Sequence, residues 1–199
     1  SHLTNFDYLK KEPKFDTFSD VAITAEKILY IDPTSCILNC RRAMEFAIKW
    51  LYSVDKDLKM PYQDTLVSLM STEEFKDILG EDLITRLVLI RKMGNNAAHT
   101  TNKLTEDDAA LCLENLHIFF DFISYCYSDN YEEHSFDKSL LTKKEEELPK
   151  KKFPDVDMEA LLAENAALKE ELTSRRKEQV ESYVPKPLEL SDYKTRKIY

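Results

Sequence analysis

Apolar residues along this chain recur at the three- and four-residue spacing of α-helices and do not alternate as they would in strands. Phe18, Val21, Ala22, Ala25, Ile28 and Leu29 mark a first helix within Phe15 to Ile31, with Pro13 ahead of its start. Asp32-Pro33 supplies a capping carboxylate and a proline suited to the first helical position, so a second helix is expected from Pro33 to Val54. Its stripe is Cys36, Cys40, Ala43, Met44, Ala47, Trp50 and Leu51. After Met60-Pro61 a short third helix fits Asp64 to Met70. Ser71-x-x-Glu74 has the form of a capping box and Gly80 that of a stop, which brackets a fourth. Leu83, Ile84, Leu87, Val88 and Ile90 form the apolar side of a fifth, reaching at least Met93. Thr105, with Asp108 three residues on, caps a sixth. Its stripe of Ala109, Cys112, Leu113, Leu116, Phe119, Phe120, Ile123 and Tyr127 is the strongest in the chain. These elements predict an all-α fold, an up-and-down helical bundle over residues 1–131.

The pattern then changes. Residues 132–154 carry charge runs, two prolines and few large apolar groups, the composition of a solvated linker. A long helix is expected over 155–183, with a heptad frame of Met158 (a), Leu161 (d), Asn165 (a), Leu168 (d) and Leu172 (a) before Arg175 and Gln179 interrupt the seam. So short a seam is marginal alone and calls for a partner, self-association through 155–183 being one way to supply it. Pro185 and Pro187 end this helix. The opening Ser1-His2 without a Met, and the lead-in character of residues 184–199, give the chain the look of the N-terminal piece of something longer.

Composition narrows the function. Only two glycines occur, Gly80 and Gly94, where average usage would give roughly fourteen, so neither a dinucleotide fingerprint nor a P-loop is present. Lys and Arg number 28 against 37 acidic residues, a net charge of −9, which argues against broad non-specific binding of duplex DNA while leaving room for a local patch. Cys36, Cys40, Cys112 and Cys126 all fall in helical apolar patterns and are expected to be buried, reduced thiols of a cytoplasmic protein. The i, i+4 spacing of Cys36 and Cys40 suits a metal pair, but no second pair lies near it in sequence, so no metal is expected. No signal peptide is legible and no apolar run approaches the length of a membrane span, so no membrane partner is expected.

The most specific local feature is Arg91-Lys-Met-Gly-Asn-Asn-Ala-Ala-His99. A helix running through it would place Arg91, Asn95 and His99 in one quadrant, a set of groups suited to a nucleotide or RNA. The alternative, and the expected one from spacing alone, has Gly94 closing the helix and Asn95 and Asn96 making the turn. Arg41, Arg42 and Lys49 form a basic edge on the second helix; with Glu45 in reach of both arginines, a solvated, ion-paired face is expected ahead of a nucleic-acid contact. His117 and His134 have no visible catalytic partner. Tyr125, Tyr127 and Tyr131 offer a stacking platform in principle and a core or rim position by default.

Four stretches support a family resemblance: Thr4-Asn-Phe-Asp-Tyr-Leu-Lys10, Cys40-Arg-Arg-Ala-Met-Glu-Phe-Ala-Ile-Lys-Trp-Leu-Tyr52, Met60-Pro-Tyr-Gln-Asp64 and Ile90-Arg-Lys-Met-Gly-Asn-Asn-Ala-Ala-His99. Residues 4–128 resemble the N-terminal helical domain of type I restriction enzyme R subunits, and Leu188 to Tyr199 is similar to the lead-in to their nuclease domain. The resemblance implies a complete subunit that cuts DNA with Mg²⁺ and moves it with ATP, together with methylation and specificity subunits. No cofactor is implied for this stretch itself, whose role would be docking to sister subunits or positioning DNA. The helical domain also resembles the HEPN-like group, whose ribonucleases set an Arg and a His a few residues apart. Seven residues separate Arg91 from His99 here, wider than that pattern, and Lys92 is the basic residue that meets it.

Overall fold

The structure is a computed structural model that describes residues 3–99, 101, 103–141 and 158–180. The chain divides into two units, a helical bundle and a segment containing one further helix. The bundle contains α1 (Asp16–Lys27), α2 (Pro33–Val54), α3 (Leu66–Ser71), α4 (Glu73–His99) and α5 (Glu106–Tyr127), and the second unit contains α6 (Met158–Val180). Three 3₁₀ turns, at Asp7–Lys11, Pro13–Phe15 and Lys138–Leu140, complete the regular structure among the described residues, which hold no strand. The architecture is all-α.

Local chemistry accounts for most helix ends. The Asp32 carboxylate accepts the Ser35 N–H at 3.1 Å and the Ser35 hydroxyl at 2.5 Å, and Pro33 occupies the first turn of α2, where its missing N–H costs nothing. The same bonds, the hydroxyl first, hold the Asp32 carboxyl below its usual range. Thr105 and Asp108 close a reciprocal capping box at the start of α5, with bonds of 3.1 and 2.9 Å. At the start of α4 the cap is Thr72, whose hydroxyl accepts the Phe75 N–H at 3.3 Å, and not the expected Ser71 box. Ser71 is instead the last residue of α3, and its hydroxyl donates to the Val67 carbonyl one turn back.

Gly80 interrupts α4 with φ 80° and ψ 165°. This region of backbone space is essentially reserved for glycine. The chain resumes as helix at once, so Gly80 is both the stop expected from the sequence and a sharp kink within one continuous element. Gly94 has no positive φ, and α4 runs through it to His99. The expectation that Gly94 closes the helix is therefore overturned.

α2 is the hub of the bundle, in contact with α1, α3, α4 and α5. Its residues Cys36, Ile37, Cys40, Ala43, Met44, Ala47, Ile48 and Leu51 have no exposed surface. α5 lies against this row with Cys112, Leu113, Leu116, Phe119, Phe120 and Ile123, all equally buried. Aromatic contacts lock α1 to both: Phe18 meets Phe120 at 4.9 Å between ring centres, and Trp50 meets Phe15 at 5.4 Å and Tyr127 at 5.6 Å. Burying such a side chain contributes about 1.5–3 kcal/mol, so the α1–α2–α5 aromatic cluster contributes several kcal/mol to the bundle. α5 is long and apolar enough to cross a membrane by length and composition, but its apolar face is the core of the bundle. Cys36, Cys40 and Cys112 are buried and free as expected, whereas Cys126, in the last turn of α5, is exposed.

The bundle extends farther along the chain than composition indicated. Residues 132–141, expected to begin the linker, lie against its surface. The Asn5 amide oxygen accepts the Asp137 N–H at 2.7 Å, the Asn5 Nδ2 donates to the Asp137 carbonyl at 3.1 Å, and Tyr30 donates to the Leu141 carbonyl at 2.6 Å. Asn5 also donates its N–H and Nδ2 to the buried Glu26 carboxylate of α1, at 2.9 and 2.8 Å. One polar side chain near the N-terminus thus ties α1 to a strap more than a hundred residues away. Burial raises the Glu26 pKa even though both Asn5 bonds oppose the rise. The remainder of the expected linker, from residue 142 to 154, the two ends of the expected 155–183 helix beyond Met158–Val180, and the 184–199 lead-in lie outside the described residues.

Gly80→Ala is expected to destabilise the bundle by about 1–3 kcal/mol. No atom lies within 4 Å of a Cβ added there, so the cost is backbone strain alone, and chemical denaturation followed by Trp50 fluorescence would measure it.

Candidate functional site

The stretch singled out in the sequence is built by the contact between α2 and α4. A Cβ added to Gly94 would sit 2.4 Å from Arg41 Cδ, 2.8 Å from its Cβ and 3.0 Å from its Cγ. Glycine is needed here because the stem of Arg41 occupies the space that any other side chain would take. Arg41 Nε is buried without a hydrogen-bond partner, while the residue as a whole is half-buried.

Helix geometry then fixes the neighbourhood. Around the α4 axis, Arg91 lies about 60°, Asn95 about 100° and His99 about 140° to one side of Gly94, with Met93 about 100° to the other. Met93 faces α5, where its sulfur accepts from the Cys112 thiol at 3.4 Å. The row Arg91, Asn95, His99 is therefore on the side of α4 turned away from α5. Arg91 and Asn95 are half-buried and His99 is exposed. On α2 the arrangement is complementary. Cys40 and Met44, on one side of Arg41, are in the core; Glu45, Lys49 and Arg42, on the other, lie at the surface or half-buried. The outer side of the α2–α4 seam thus carries Arg41, Arg42, Lys49, Arg91, Asn95 and His99, the candidates named from the sequence. Lys92 lies half-buried farther round α4.

The ion pairing on this face differs from the expected one. Glu45 pairs with Lys49 at 3.2 Å, and the Arg42 guanidinium lies over the Phe46 ring at 5.2 Å. Arg41 instead packs its stem on α4 at Gly94, where no side chain stands in its way. A lone glycine inside a helical apolar pattern was the signal for this close approach; its partner on α2 was not readable from the sequence.

A concavity lies elsewhere, around the 3₁₀ turn Asp7–Lys11 and the end of α5. It is a cleft of about 680 Å³ lined by Tyr8, Glu12, Ser124, Ser128, Tyr131 and His134 among others. Tyr8 stacks on His134 at 4.2 Å with the rings nearly parallel, and its buried hydroxyl has no partner. His117 is buried behind it, edge-on to Phe6, Tyr8 and Phe136 at 5.5 to 5.9 Å, with Nε2 unpartnered. Burial raises the Tyr8 pKa, with Asp121 adding to the rise, and burial lowers that of His117. Burial pulls Glu12 upward, but bonds from the Ser128 hydroxyl and the Asp129 N–H, with Lys14 nearby, outweigh it and keep the carboxyl below its usual range.

The three tyrosines take the rim positions expected of them and form no stacking platform. Tyr127 packs on Trp50 and donates to Asp55, while Tyr131 donates to Asp121 at 3.0 Å with Tyr125 edge-on to it. Among the described residues no imidazole is hydrogen-bonded to a serine or a thiol, and no three His, Cys, Asp or Glu side chains converge as metal ligands. Burial, followed by the neighbouring Cys36, raises the pKa of Cys40, and burial raises that of Cys112, so both stay protonated thiols. Among the described residues the arrangement gathers cationic and aromatic side chains and no assembled nucleophile.

A family model described as a domain of unknown function, DUF4145, matches residues 24–155. The chain belongs to the DUF4145 family. No curated protein and no solved structure matches it. The DUF4145 match covers α1 from Thr24 onward together with α2 to α5, and so includes the whole α2–α4 seam. It leaves out Asn5 and also Tyr8, which lines the cleft.

The buried His117 gives the bundle a pH dependence of definite sign. Its folded-state pKa is lowered from the ordinary imidazole value near 6.5, so the unfolded chain takes up a proton before the folded one does. The stability it supports is complete above about pH 6.5 and declines as the pH falls from there toward the lowered value. Denaturation midpoints at neutral and mildly acid pH should diverge in the native chain and converge in His117→Phe.

Proposed function

We propose that this chain is the N-terminal helical module of a type I restriction enzyme R subunit, and that its own task is to position DNA through the outer side of the α2–α4 seam. The observation that carries the proposal is the Gly94–Arg41 contact, which lays the Arg41 stem on α4 within the turn that carries Arg91 and Asn95, on the helix side that also carries Arg42 and Lys49. Guanidinium and ammonium groups gathered on one face of a chain with net charge −9 form a local positive field, which orients a phosphate backbone without the indiscriminate binding of a basic surface. The sequence resemblance supports the parent. Cleavage with Mg²⁺ and translocation with ATP would belong to domains outside this chain, methylation and specificity subunits would be its partners, and its compartment would be the cytoplasm.

In the complete subunit, removal of residues 1–128 is expected to impair assembly or DNA cleavage; unchanged assembly, cleavage and translocation would sink the proposal. For the chain itself, fluorescence anisotropy with a short duplex at several salt concentrations is the direct measurement. Arg41→Ala with Arg91→Ala should weaken binding and make the slope of log K against log salt shallower by about 2, one for each phosphate that is no longer neutralised.

A second reading has one observation in its favour: α4 does continue through Gly94, so Arg91, Asn95 and His99 share a quadrant. In this reading the seam binds a nucleotide or cleaves RNA in the manner of HEPN-like ribonucleases. It predicts RNA cleavage or nucleotide binding by the purified chain that is lost in Arg91→Ala and His99→Ala. Equal behaviour of all three proteins would eliminate it.

A further inference from the structure

The second unit presents a helix whose described leucines are exposed. α6 runs for 23 residues, and its described side chains are exposed on every side, Leu162 by 63%, Leu168 by 50% and Leu172 by 54%. A helix draws most of its stability from burying an apolar face, so exposed leucines along one side identify a surface that lacks its partner. The heptad frame set by Met158 (a), Leu161 (d), Asn165 (a), Leu168 (d) and Leu172 (a) states which partner fits.

The flanking positions carry the argument. Glutamates stand at three successive g positions, Glu164, Glu171 and Glu178, and cations at the e positions Lys169 and Arg176. In a parallel, in-register pair of helices each g residue faces the e residue five positions farther along the other strand. That rule sets Glu164 against Lys169 and Glu171 against Arg176, in both directions across the pair. An antiparallel pair would set g against g and e against e, bringing glutamates onto glutamates and cations onto cations. Asn165 sits at an a position, where in a parallel pair it meets its own copy and two amides bond across the seam, a device that sets register and two-stranded assembly at some cost in stability. The leucine at e, Leu162, widens the apolar strip at the N-terminal end, and Arg175 at d ends it.

We propose that α6 is a parallel, in-register dimerisation helix whose occupant is the α6 of a second copy of this chain. The proposal is independent of whether the α2–α4 seam holds DNA or RNA. With four regular apolar seam positions per helix the dimer is a weak one, formed and dissolved by changes in local concentration, as when two copies are held on one larger assembly.

Sedimentation of the full chain across the micromolar range tests this. The native chain should move from monomer toward dimer with rising concentration, and Leu168→Asp with Leu172→Asp should remain monomeric while the bundle keeps its Trp50 fluorescence. Two charge-reversed proteins decide the pairing rule. Glu164→Lys with Glu171→Lys, and Lys169→Glu with Arg176→Glu, should each self-associate about tenfold more weakly than the native chain, and an equal mixture should recover native association. Orientation is read from Asn165→Cys in a Cys126→Ser background, which removes the exposed native thiol. Air oxidation should cross-link position 165 to its own copy. A native chain that is monomeric throughout, or that engages only a helix of another sequence, overturns the proposal; so does a dimer indifferent to the charge reversals or one that fails to cross-link at 165.

Discussion

The bundle is organised by the close approach of α2 and α4, and that approach depends on the absence of one side chain. With any β-carbon at position 94, the Arg41 stem would have to move or the two helices would have to separate, since the nearest stem atom would be only 2.4 Å away. Because glycine is there, α2 can contact α4 and α5 at once, and the cysteine- and alanine-rich row of α2 becomes the centre of the core. Glycine in mid-helix costs about 1 kcal/mol relative to alanine in propensity, less than the strain of forcing a Cβ into the Arg41 stem. The same contact seats the stem of a half-buried arginine, with its Nε buried, on the face of α4.

The polar ties divide into two classes with different consequences. The helix caps at Asp32, Thr65, Thr72 and Thr105 are local; each satisfies an orphan N–H within three residues and each was within reach of a sequence pattern, although Thr72 displaced the box expected at Ser71. The Asn5 ties to Glu26 and to Asp137, the Tyr30 bond to Leu141 and the His117 aromatic cage are long-range. They hold the segment 132–141 on the bundle in spite of its polar, charged composition. Charge content reports how much apolar area a segment can bury, not whether its few apolar groups, here Phe136 and Leu141, find a place against the core.

Charge is distributed by role and not by region. The bundle is acidic overall, yet on the outer side of the α2–α4 seam the candidates are mostly basic or amide groups, and Glu45 is occupied by Lys49. On α6 the charges follow the heptad, glutamates at g and cations at e, so net charge says nothing about what the helix meets while position says a great deal.

Periodicity by itself determined the helices of the bundle, the all-α class and most of the buried row on α2 and α5, because these follow from local propensity and from burying one face of each helix, and a lone glycine marked the break at Gly80. It also marked Arg91, Asn95 and His99 as a group, since their spacing is a property of the chain alone. Two questions passed beyond it. Whether Gly94 stops a helix or continues one depends on what lies opposite, and Arg41, more than fifty residues earlier, supplies the answer. Whether Cys126 is buried, whether 132–141 belongs to the bundle and which partner Glu45 takes depend likewise on neighbours brought close only by folding. Tertiary structure decided these points because a glycine, a thiol or a carboxylate near the end of a helix has two locally equivalent states, and only a contact from a distant part of the chain separates them in energy.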